Sequence, residues 1–317
     1  MNIQIPGNTK TLSVLIDGAT GYIATHLIHA LTKSNLDNTK VSCLVRKNAN
    51  PIDMDFLRSF GANIHSANLG DGDLKLIFEG TDIAYHLIGS IAPRKGETAS
   101  LLHVGQTESF IEECIKAKVK KIIMVSACGA HPEAQSEYHR TKWQAEKLVL
   151  DSPISAIILR PSLVIGRLVG HRNSKLITRL ENLIREKKFV PLIAGGQNKV
   201  QPIFIQDLVE AMLAALNLEI SDEIIELGGP EICTLKELVQ KMMQKIKMEK
   251  TIVDLPVAVA TAAATVAQLT QEIPIISQDQ IKISQQDNLC TDNKLESLIK
   301  HRSTNIDTAL NSYHWNL

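Results

Sequence analysis

Tyr138 and Lys142 are the two residues whose types and spacing best suit acid–base chemistry. A tyrosine and a lysine four positions apart share one face of a helix, so the phenol and the ammonium group can point into one site. We expect the lysine charge to favour phenolate and to lower the tyrosine pKa from about 10. Such a tyrosine would exchange a proton with a carbonyl or an alcohol. The alternative is a surface helix on which this spacing arose by chance.

A glycine-rich turn near the start of the chain lies between a strand-forming run and a helical pattern. Residues 12–16 are β-forming, Gly18-x-x-Gly21-x-x-Ala24 follows, and helical spacing continues from there. This order of elements points backbone N–H groups and a helix N-terminus at a diphosphate, so it predicts a dinucleotide site. A βα unit with an accidental turn is the alternative. The predicted cofactor-binding residues of the turn are Gly18, Thr20, Gly21, Tyr22 and Ile23.

The residues after the second predicted strand favour NADP(H) over NAD(H). Arg46 and Lys47 stand there, and the sequence around them contains no carboxylate. An acidic residue at this point would bind ribose hydroxyls, whereas a guanidinium binds a 2′-phosphate. The alternative is that both are solvated loop charges. At two later strand ends, we expect Asn68 to contact the adenine edge and Ile88 and Gly89 to lie under a cofactor ribose.

Composition excludes several other classes of protein. The 317 residues carry 34 basic and 34 acidic side chains, so no charge surplus favours a nucleic acid or an anionic membrane. Five scattered cysteines without a C-x-x-C pair indicate reduced, mostly buried thiols, and neither a disulfide framework nor a metal site. The N-terminus has no pattern of a secretory signal, so we expect a cytoplasmic protein.

The order of apolar runs predicts the fold class. Short, often continuously apolar strand runs alternate with helices up to residue 160, as in a Rossmann-type, doubly wound parallel sheet of the α/β class. We expect an NAD(P)-binding region over residues 10–165 and a smaller substrate or cap region over 166–317, interwoven in one structural domain. The predicted strands are 12–16, 40–45, 63–66, 82–88, 121–126, 154–160, 201–205 and 223–227, and the later helices are 173–187, 206–218 and 235–246.

Residues 255–269 form an uncharged apolar run. The run is shorter than the roughly 20 residues that a membrane-spanning helix needs. A buried or cap helix is one interpretation. The other is a face that contacts a membrane surface or docks on a partner.

Several motifs together resemble the short-chain dehydrogenase/reductase superfamily in its extended or atypical, epimerase/dehydratase-like and NmrA-like forms. The motifs are Gly18–Ala24, Tyr138-x-x-x-Lys142, Arg160–Gly166 and Gln201–Leu208. The tail is similar to bacterial relatives of the nucleotide-binding accessory subunit of respiratory complex I, through Leu255-Pro256, Glu272–Pro274, Asp279-Gln280 and Gln286–Asn288.

The resemblance implies roles for individual residues. It makes Tyr138 the acid–base group and Lys142 the lysine that binds the cofactor ribose, and it places Pro161 and Ser162, after Arg160, beside the nicotinamide. Its substrate-orienting serine corresponds either to Ser126 or to the position of Cys128.

Three other positions depart from the family pattern. Asp17 stands where relatives usually carry Thr, and His103 stands where Asn is frequent. The Arg160–Gly166 stretch lacks the Asn typical of nucleotide-sugar epimerases, which disfavours a UDP-sugar substrate.

Two functions remain open from the sequence. The first is an NADPH-dependent oxidoreductase that reduces a carbonyl or quinone-like small molecule with Tyr138, Lys142 and Ser126. The second is a non-catalytic NADP(H)-binding module in the assembly or regulation of a respiratory or quinone-biosynthesis complex.

Overall fold

Strands and helices alternate through the first half of the chain in this computed structural model. The structure describes residues 11–33, 39–72, 74–91, 96–219, 222–270, 277–313 and 315. The elements up to residue 165 are β1 (Leu12–Ile16), α1 (Tyr22–Lys33), β2 (Thr39–Val45), α2 (Pro51–Arg58), β3 (Asn63–Ser66), α3 (Lys75–Phe78), β4 (Ile83–His86), α4 (Gln106–Lys116), β5 (Lys121–Val125), α5 (Glu137–Leu150), β6 (Ser155–Pro161) and β7 (Val164–Ile165).

The second half adds shorter strands and further helices. They are α6 (Lys175–Glu186), β8 (Phe189–Ile193), β9 (Lys199–Val200), β10 (Ile203–Phe204), α7 (Ile205–Ala215), β11 (Glu223–Leu227), β12 (Cys233–Thr234), α8 (Leu235–Ile246), β13 (Thr251–Leu255), α9 (Val257–Thr270), α10 (Gln278–Ser284), α11 (Leu295–Ile299) and α12 (Ile306–Asn311). The tail motif Glu272–Pro274 lies outside the described residues.

Seven parallel strands form the central sheet in the order β11-β6-β5-β4-β1-β2-β3. Alternate residues of β1 enter different cores, since Val14 and Ile16 pack on one face and Leu15 packs on the other. Both faces are therefore covered, which confirms the doubly wound Rossmann-type fold. The order of strands reverses between β1 and β4, and ligands of such sheets bind at this point, outside the carboxyl ends of the strands.

Three predicted strands are shorter in the structure, and the run 121–126 loses only its last residue. The run 82–88 ends as a strand at His86, because the Leu87 N–H donates to the Asp17 carboxylate (2.6 Å) instead of to a neighbouring strand. The run 201–205 is a strand only at Ile203–Phe204, and Ile205 already begins α7.

The apolar run 255–269 forms most of α9. Ala260 and Ala264 pack against Ile281 of α10, while the adjacent Val259 is 54% exposed. Within the described residues, every helix is too short or too polar to cross a membrane.

Candidate functional site

The glycine turn has the backbone that close approach of a diphosphate requires. Gly18 has a φ of +56°, and a β-carbon there would lie 3.1 Å from the Leu87 carbonyl carbon and oxygen. The Gly21 N–H donates to the Gly18 carbonyl at 2.8 Å, and α1 begins at the next residue. The turn thus places the positive end of α1 between the carboxyl ends of β1 and β4.

A buried polar pair joins these two strand ends beneath the turn. Asp17 Oδ2 lies 2.5 Å from His86 Nδ1, and both side chains are fully buried. Thr107 gives its hydroxyl proton to the His103 carbonyl, so His86 Nε2, at 2.8 Å, must donate to the Thr107 oxygen. Asp17, which stands where relatives usually carry Thr, therefore fixes the position of the glycine turn relative to β4.

Lys142 lies directly behind Gly89, just beyond the end of β4. Its ammonium donates to the Val125 carbonyl at 2.8 Å, and a β-carbon on Gly89 would lie 3.6 Å from Nζ. Gly89 itself is exposed, whereas Lys142 is 2% exposed. Burial lowers the pKa of Lys142 to about 8, and the negative charges of Glu146 and Asp17 oppose this shift.

Tyr138 is half-buried beside Lys142 on α5, with its ring edge-on to the His103 ring at a centroid distance of 5.4 Å. Burial, with a smaller contribution from the Glu146 charge, raises the pKa of Tyr138 to about 12. The expectation that Lys142 lowers this pKa is therefore wrong. The penalty for burying a phenolate exceeds the attraction of a lysine that is itself buried. At neutral pH the phenol keeps its proton.

His103 is a further side chain beside Gly89. Its Nε2 accepts from the Ser90 N–H at 3.2 Å, which leaves Nδ1 to donate to the Thr141 hydroxyl at 2.7 Å. This assignment of the protons follows from the hydrogen bonds and makes the ring neutral. Burial, together with the charges of Lys142 and His86, lowers the pKa of His103 to about 3.

Ser126 and Cys128 follow β5 but differ in what their side chains contact. Ser126 is 5% exposed, and its Oγ has no hydrogen-bond partner among the residues that the structure describes. The Cys128 thiol donates to the Arg160 carbonyl at 3.0 Å and lies 3.2 Å from Cys290 Sγ. Of Ser126 and Cys128, the two positions left open for the substrate-orienting serine, only Ser126 carries a hydroxyl, and that hydroxyl has no partner.

The stretch after β6 is held by other protein groups. The Arg160 guanidinium binds both oxygens of Glu146, at 2.9 and 2.5 Å. The Pro161 carbonyl accepts from the Cys128 N–H at 3.0 Å, and the Ser162 hydroxyl donates to the Gln201 carbonyl. Pro161 and Ser162 therefore lie at the same sheet edge as the loop after β5.

The basic residues after β2 have acidic partners, contrary to expectation from the local sequence. Arg46 lies 3.7 Å from Glu97, and Lys47 lies 2.9 Å from Asp71. Asn68 accepts from the Lys47 N–H at 3.2 Å and donates to Asp71 at 2.8 Å. Both carboxylates come from later loops, so inspection of the residues next to Arg46 could not find them.

The phenol of Tyr22 is engaged away from the turn, since it donates to the Gly166 carbonyl. Burial and the neighbouring Tyr313 raise the pKa of Tyr22 well above its ordinary value. The Tyr22 backbone N–H, at the first position of α1, remains the group that can face a diphosphate. Thr20 and Ile23 are half-buried beside it.

Asp279 contacts the helix that carries Tyr138, and the sequence included it only as part of a resemblance motif. Its carboxylate accepts from the Glu137 N–H at 2.6 Å and from the Tyr138 N–H at 2.9 Å, while Ser136 caps the same helix through the His139 N–H. A residue of α10 thus holds the first turn of α5, where Tyr138 lies. The available signal was the capping box Ser277-x-x-Gln280, which places Asp279 in the first turn of α10.

Comparison with known proteins decides the family. The sequence profile of the NAD dependent epimerase/dehydratase family matches residues 14–228. The chain belongs to that family. All the predicted catalytic and cofactor-binding residues of this epimerase/dehydratase-family protein lie inside the match, whereas Asp279 and Cys290 lie beyond it.

The chain is also similar to a curated mitochondrial protein. The subunit named "NADH dehydrogenase [ubiquinone] 1 alpha subcomplex subunit 9, mitochondrial" from Arabidopsis thaliana is 28% identical over 73% of this chain. The chain spans 60% of the length of that subunit.

Solved structures show the same fold. The UDP-glucuronic acid 4-epimerase from Bacillus cereus, in complex with NAD, superposes with a TM-score of 0.73 at 19% identity over 95% of this chain and 97% of that chain. The NADPH-dependent quinone oxidoreductase from Escherichia coli, in complex with NADPH, gives 0.71 at 20% identity over 94% and 98%.

Proposed function

We propose that the protein is an oxidoreductase that uses NADPH to reduce a carbonyl or quinone-like small molecule. The observation that carries the proposal is the group of side chains around exposed Gly89. Lys142 Nζ and His103 Nε2 would lie 3.6 and 3.8 Å from a β-carbon at that position, and Tyr138 contacts the His103 ring. The glycine turn meets the same end of β4, because Gly18 packs against Leu87.

The residues present fit a nicotinamide dinucleotide. A β-carbon on Gly21 would lie 3.0 Å from the Gly18 carbonyl oxygen, so larger side chains are excluded where a diphosphate would approach. Gly18, Thr20, Gly21, Tyr22 and Ile23 would hold the diphosphate, and Ile88, Gly89, Lys142, Pro161 and Ser162 would hold the nicotinamide half. When bound, the cofactor supplies or accepts a hydride.

The protonation states favour the direction of reduction. Tyr138, with a pKa of about 12, holds its proton at neutral pH and can donate it to a developing alkoxide. The unpartnered Ser126 hydroxyl, at the end of β5, is available to donate a hydrogen bond to a substrate carbonyl. Lys142, with a pKa of about 8, is charged at neutral pH and would bind the ribose hydroxyls beside Gly89.

NADPH is favoured over NADH by the exposed cations after β2. The Arg46 side chain is 43% exposed and lies 3.7 Å from Glu97, a long contact that a 2′-phosphate can replace. Lys47 is a second exposed cation there, and Asn68 accepts from its backbone N–H and donates to Asp71.

The test compares the wild type with Tyr138→Phe in a screen of NADPH oxidation across aldehydes, ketones and quinones. Removal of the phenol proton should lower turnover about 100-fold or more, while the affinity for NADPH is retained. Lys147→Ala is the matched control, since Lys147 is an exposed residue of the same helix whose partner is Asp151. Full activity of Tyr138→Phe on a verified substrate would show that Tyr138 is not the acid.

The second candidate function is a binding module that docks on a respiratory complex. The name of the Arabidopsis relative and the exposed face of α9 both favour it. Phe189, Val253 and Val259, on β8, β13 and α9, are 50%, 40% and 54% exposed, and β13 connects to α9 through Pro256. Docking through this surface would keep the protein peripheral to the membrane.

This alternative is tested by fractionation of cell membranes from the native source. Docking through α9 predicts that Val259→Glu releases the protein from the membrane fraction. The control Ile232→Glu adds the same charge at another apolar side chain that is 56% exposed and should leave the distribution unchanged. Equal distributions of wild type and Val259→Glu would contradict the docking function.

A further inference from the structure

Cys128 and Cys290 approach each other across 162 residues of sequence. Their sulfur atoms lie 3.2 Å apart, and a disulfide bond needs about 2.0 Å, so a displacement of about 1 Å would join them. Cys128 is in the loop after β5, and Cys290 is in the segment between α10 and α11. The scattered cysteine positions gave no indication of this contact.

Protein contacts hold both thiols in place. The Cys290 N–H donates to Gln201 Oε1 at 3.0 Å, and Cys290 Sγ would lie 2.8 Å from a β-carbon on Gly228. The Cys128 N–H donates to the Pro161 carbonyl at 3.0 Å. Because both backbones are anchored, the two sulfur atoms stay close together, as an efficient reaction between them requires.

The two cysteines differ in access to solvent. Cys128 is fully buried, whereas Cys290 is partly exposed. The hydrogen bond with Cys290 and burial raise the pKa of Cys128 far above its ordinary value, so Cys128 stays a thiol. A small oxidant in solution therefore reaches Cys290 first, and Cys128 is the second thiol to react.

Glu226 is the third side chain at this place, and the three could be considered as metal ligands. Its carboxylate, however, already accepts from the Thr291 N–H at 2.6 Å and lies 3.9 Å from the Arg160 guanidinium. A cation there would compete with an arginine that is fixed by Glu146. The chemistry of the site favours sulfur oxidation over metal binding.

We propose that Cys128 and Cys290 are a reversible oxidation site, at which hydrogen peroxide joins the two cysteines in a disulfide bond. The Cys290 sulfur attacks one peroxide oxygen, the O–O bond breaks, and Cys290 becomes a sulfenic acid with release of water. The Cys128 sulfur then attacks the Cys290 sulfur, and hydroxide leaves with the Cys128 proton as a second water. Two thiols lose two electrons and two protons in total, and hydrogen peroxide is reduced to two waters.

The disulfide would join the loop after β5 to the segment that follows α10. Ser126 lies two residues before Cys128, and Asp279 of α10 holds the first turn of α5. Oxidation therefore links two segments of the chain that flank the candidate site. This inference does not depend on the proposed catalytic function.

The experiment treats the full-length protein with hydrogen peroxide and maps its peptides under non-reducing conditions. The expected result is a Cys128–Cys290 linked peptide, loss of two of the five thiols, and recovery of both after dithiothreitol. Cys233→Ser, a control at another partly exposed cysteine, should keep the link, and Cys290→Ser should abolish it. Oxidised wild type should also have a higher midpoint of thermal unfolding than the reduced protein.

Two results would overturn the proposal. One is conversion of Cys290 to sulfinic acid without a link to Cys128, because a neighbouring thiol in position should react before further oxidation. The other is stoichiometric Zn²⁺ binding that is lost in Cys290→Ser and Glu226→Gln, which would make the cluster a metal site. Wild-type peptide mapping keeps the test valid if a variant fails to fold.

Discussion

Burial controls the protonation of the titratable side chains around Gly89. His103 and Lys142 both have lowered pKa values, and Tyr138 has a raised one. In each case the shift disfavours the charged form, as desolvation does. The proposed acid and the neutral imidazole that contacts it therefore follow from packing, which sequence spacing alone does not report.

The neutral state of His103 predicts a dependence of stability on pH. The folded pKa is about 3 and the ordinary value is 6.5, so between these values the unfolded chain binds more protons. The free energy of unfolding should therefore rise with pH through this window. Above pH 6.5 it should no longer change through His103, because the histidine is then neutral in both states. From pH 7 to pH 5 the loss should be about 2 kcal/mol.

Urea unfolding of the wild type and His103→Asn at both pH values measures this contribution. The difference between pH 7 and pH 5 should shrink by about 2 kcal/mol in His103→Asn. The full difference between pH 7 and pH 5 should persist in His131→Asn, a control at an exposed histidine. An unchanged difference in His103→Asn would mean that His103 is charged or accessible in the folded protein.

Arg46 carries the prediction of cofactor selectivity. Loss of a bidentate contact to the 2′-phosphate in Arg46→Ala should cost about 1.5–3 kcal/mol of NADPH binding, which is at least about tenfold in Kd. The affinity for NADH should change little. Titration calorimetry with both cofactors gives the comparison, and Arg58→Ala is a control at an exposed arginine paired with Asp55. Equal affinities of the wild type for both cofactors would contradict the assignment.

At the scale of elements, a helix of the C-terminal half positions the helix that carries Tyr138. The Asp279 carboxylate lies at the N-terminus of α5, where the helix dipole favours a negative charge, and accepts two backbone N–H groups that would otherwise lack partners. Tyr138 is in that first turn. Asp279 is therefore a positioning residue for the proposed acid.

Asp279→Ala should lower the free energy of unfolding by about 1 kcal/mol, as the loss of a helix cap does. It should also lower kcat with a smaller change in KM for NADPH, because Lys142 and the glycine turn stay in place. Asp287→Ala is the matched control for Asp279→Ala, because the Asp287 carboxylate also accepts a backbone N–H, that of Lys199. A loss of stability with kcat unchanged would indicate a purely structural cap.

The sequence predicts elements whose signals are local. The limits of β1, β3, β11 and α8 agree with the predicted ranges 12–16, 63–66, 223–227 and 235–246. What it misses depends on distant contacts. Glu97 reaches Arg46 and Asp279 reaches α5 only after folding, and burial rather than spacing sets the pKa of Tyr138.

At the scale of the whole molecule, elements of the C-terminal half extend and contact the sheet formed by the first 165 residues. β11 extends the central sheet beyond β6, and the Tyr22 phenol binds the Gly166 carbonyl. The segment after α10 pairs with Gln201, whose N–H donates to the Asn288 carbonyl at 3.2 Å. The later half thus supports the site predicted from the first 165 residues.

Hydride transfer from NADPH is the central claim, and deuterium transfer measures it most directly. The wild-type protein is incubated with each carbonyl compound of the panel and NADPH deuterated at C4 of the nicotinamide, separately on each face. Mass spectrometry should find deuterium on the former carbonyl carbon of one product, from one face only, and far less product with Tyr138→Phe. NADPH that binds tightly but keeps its deuterium with every acceptor would contradict the oxidoreductase function and favour the binding module.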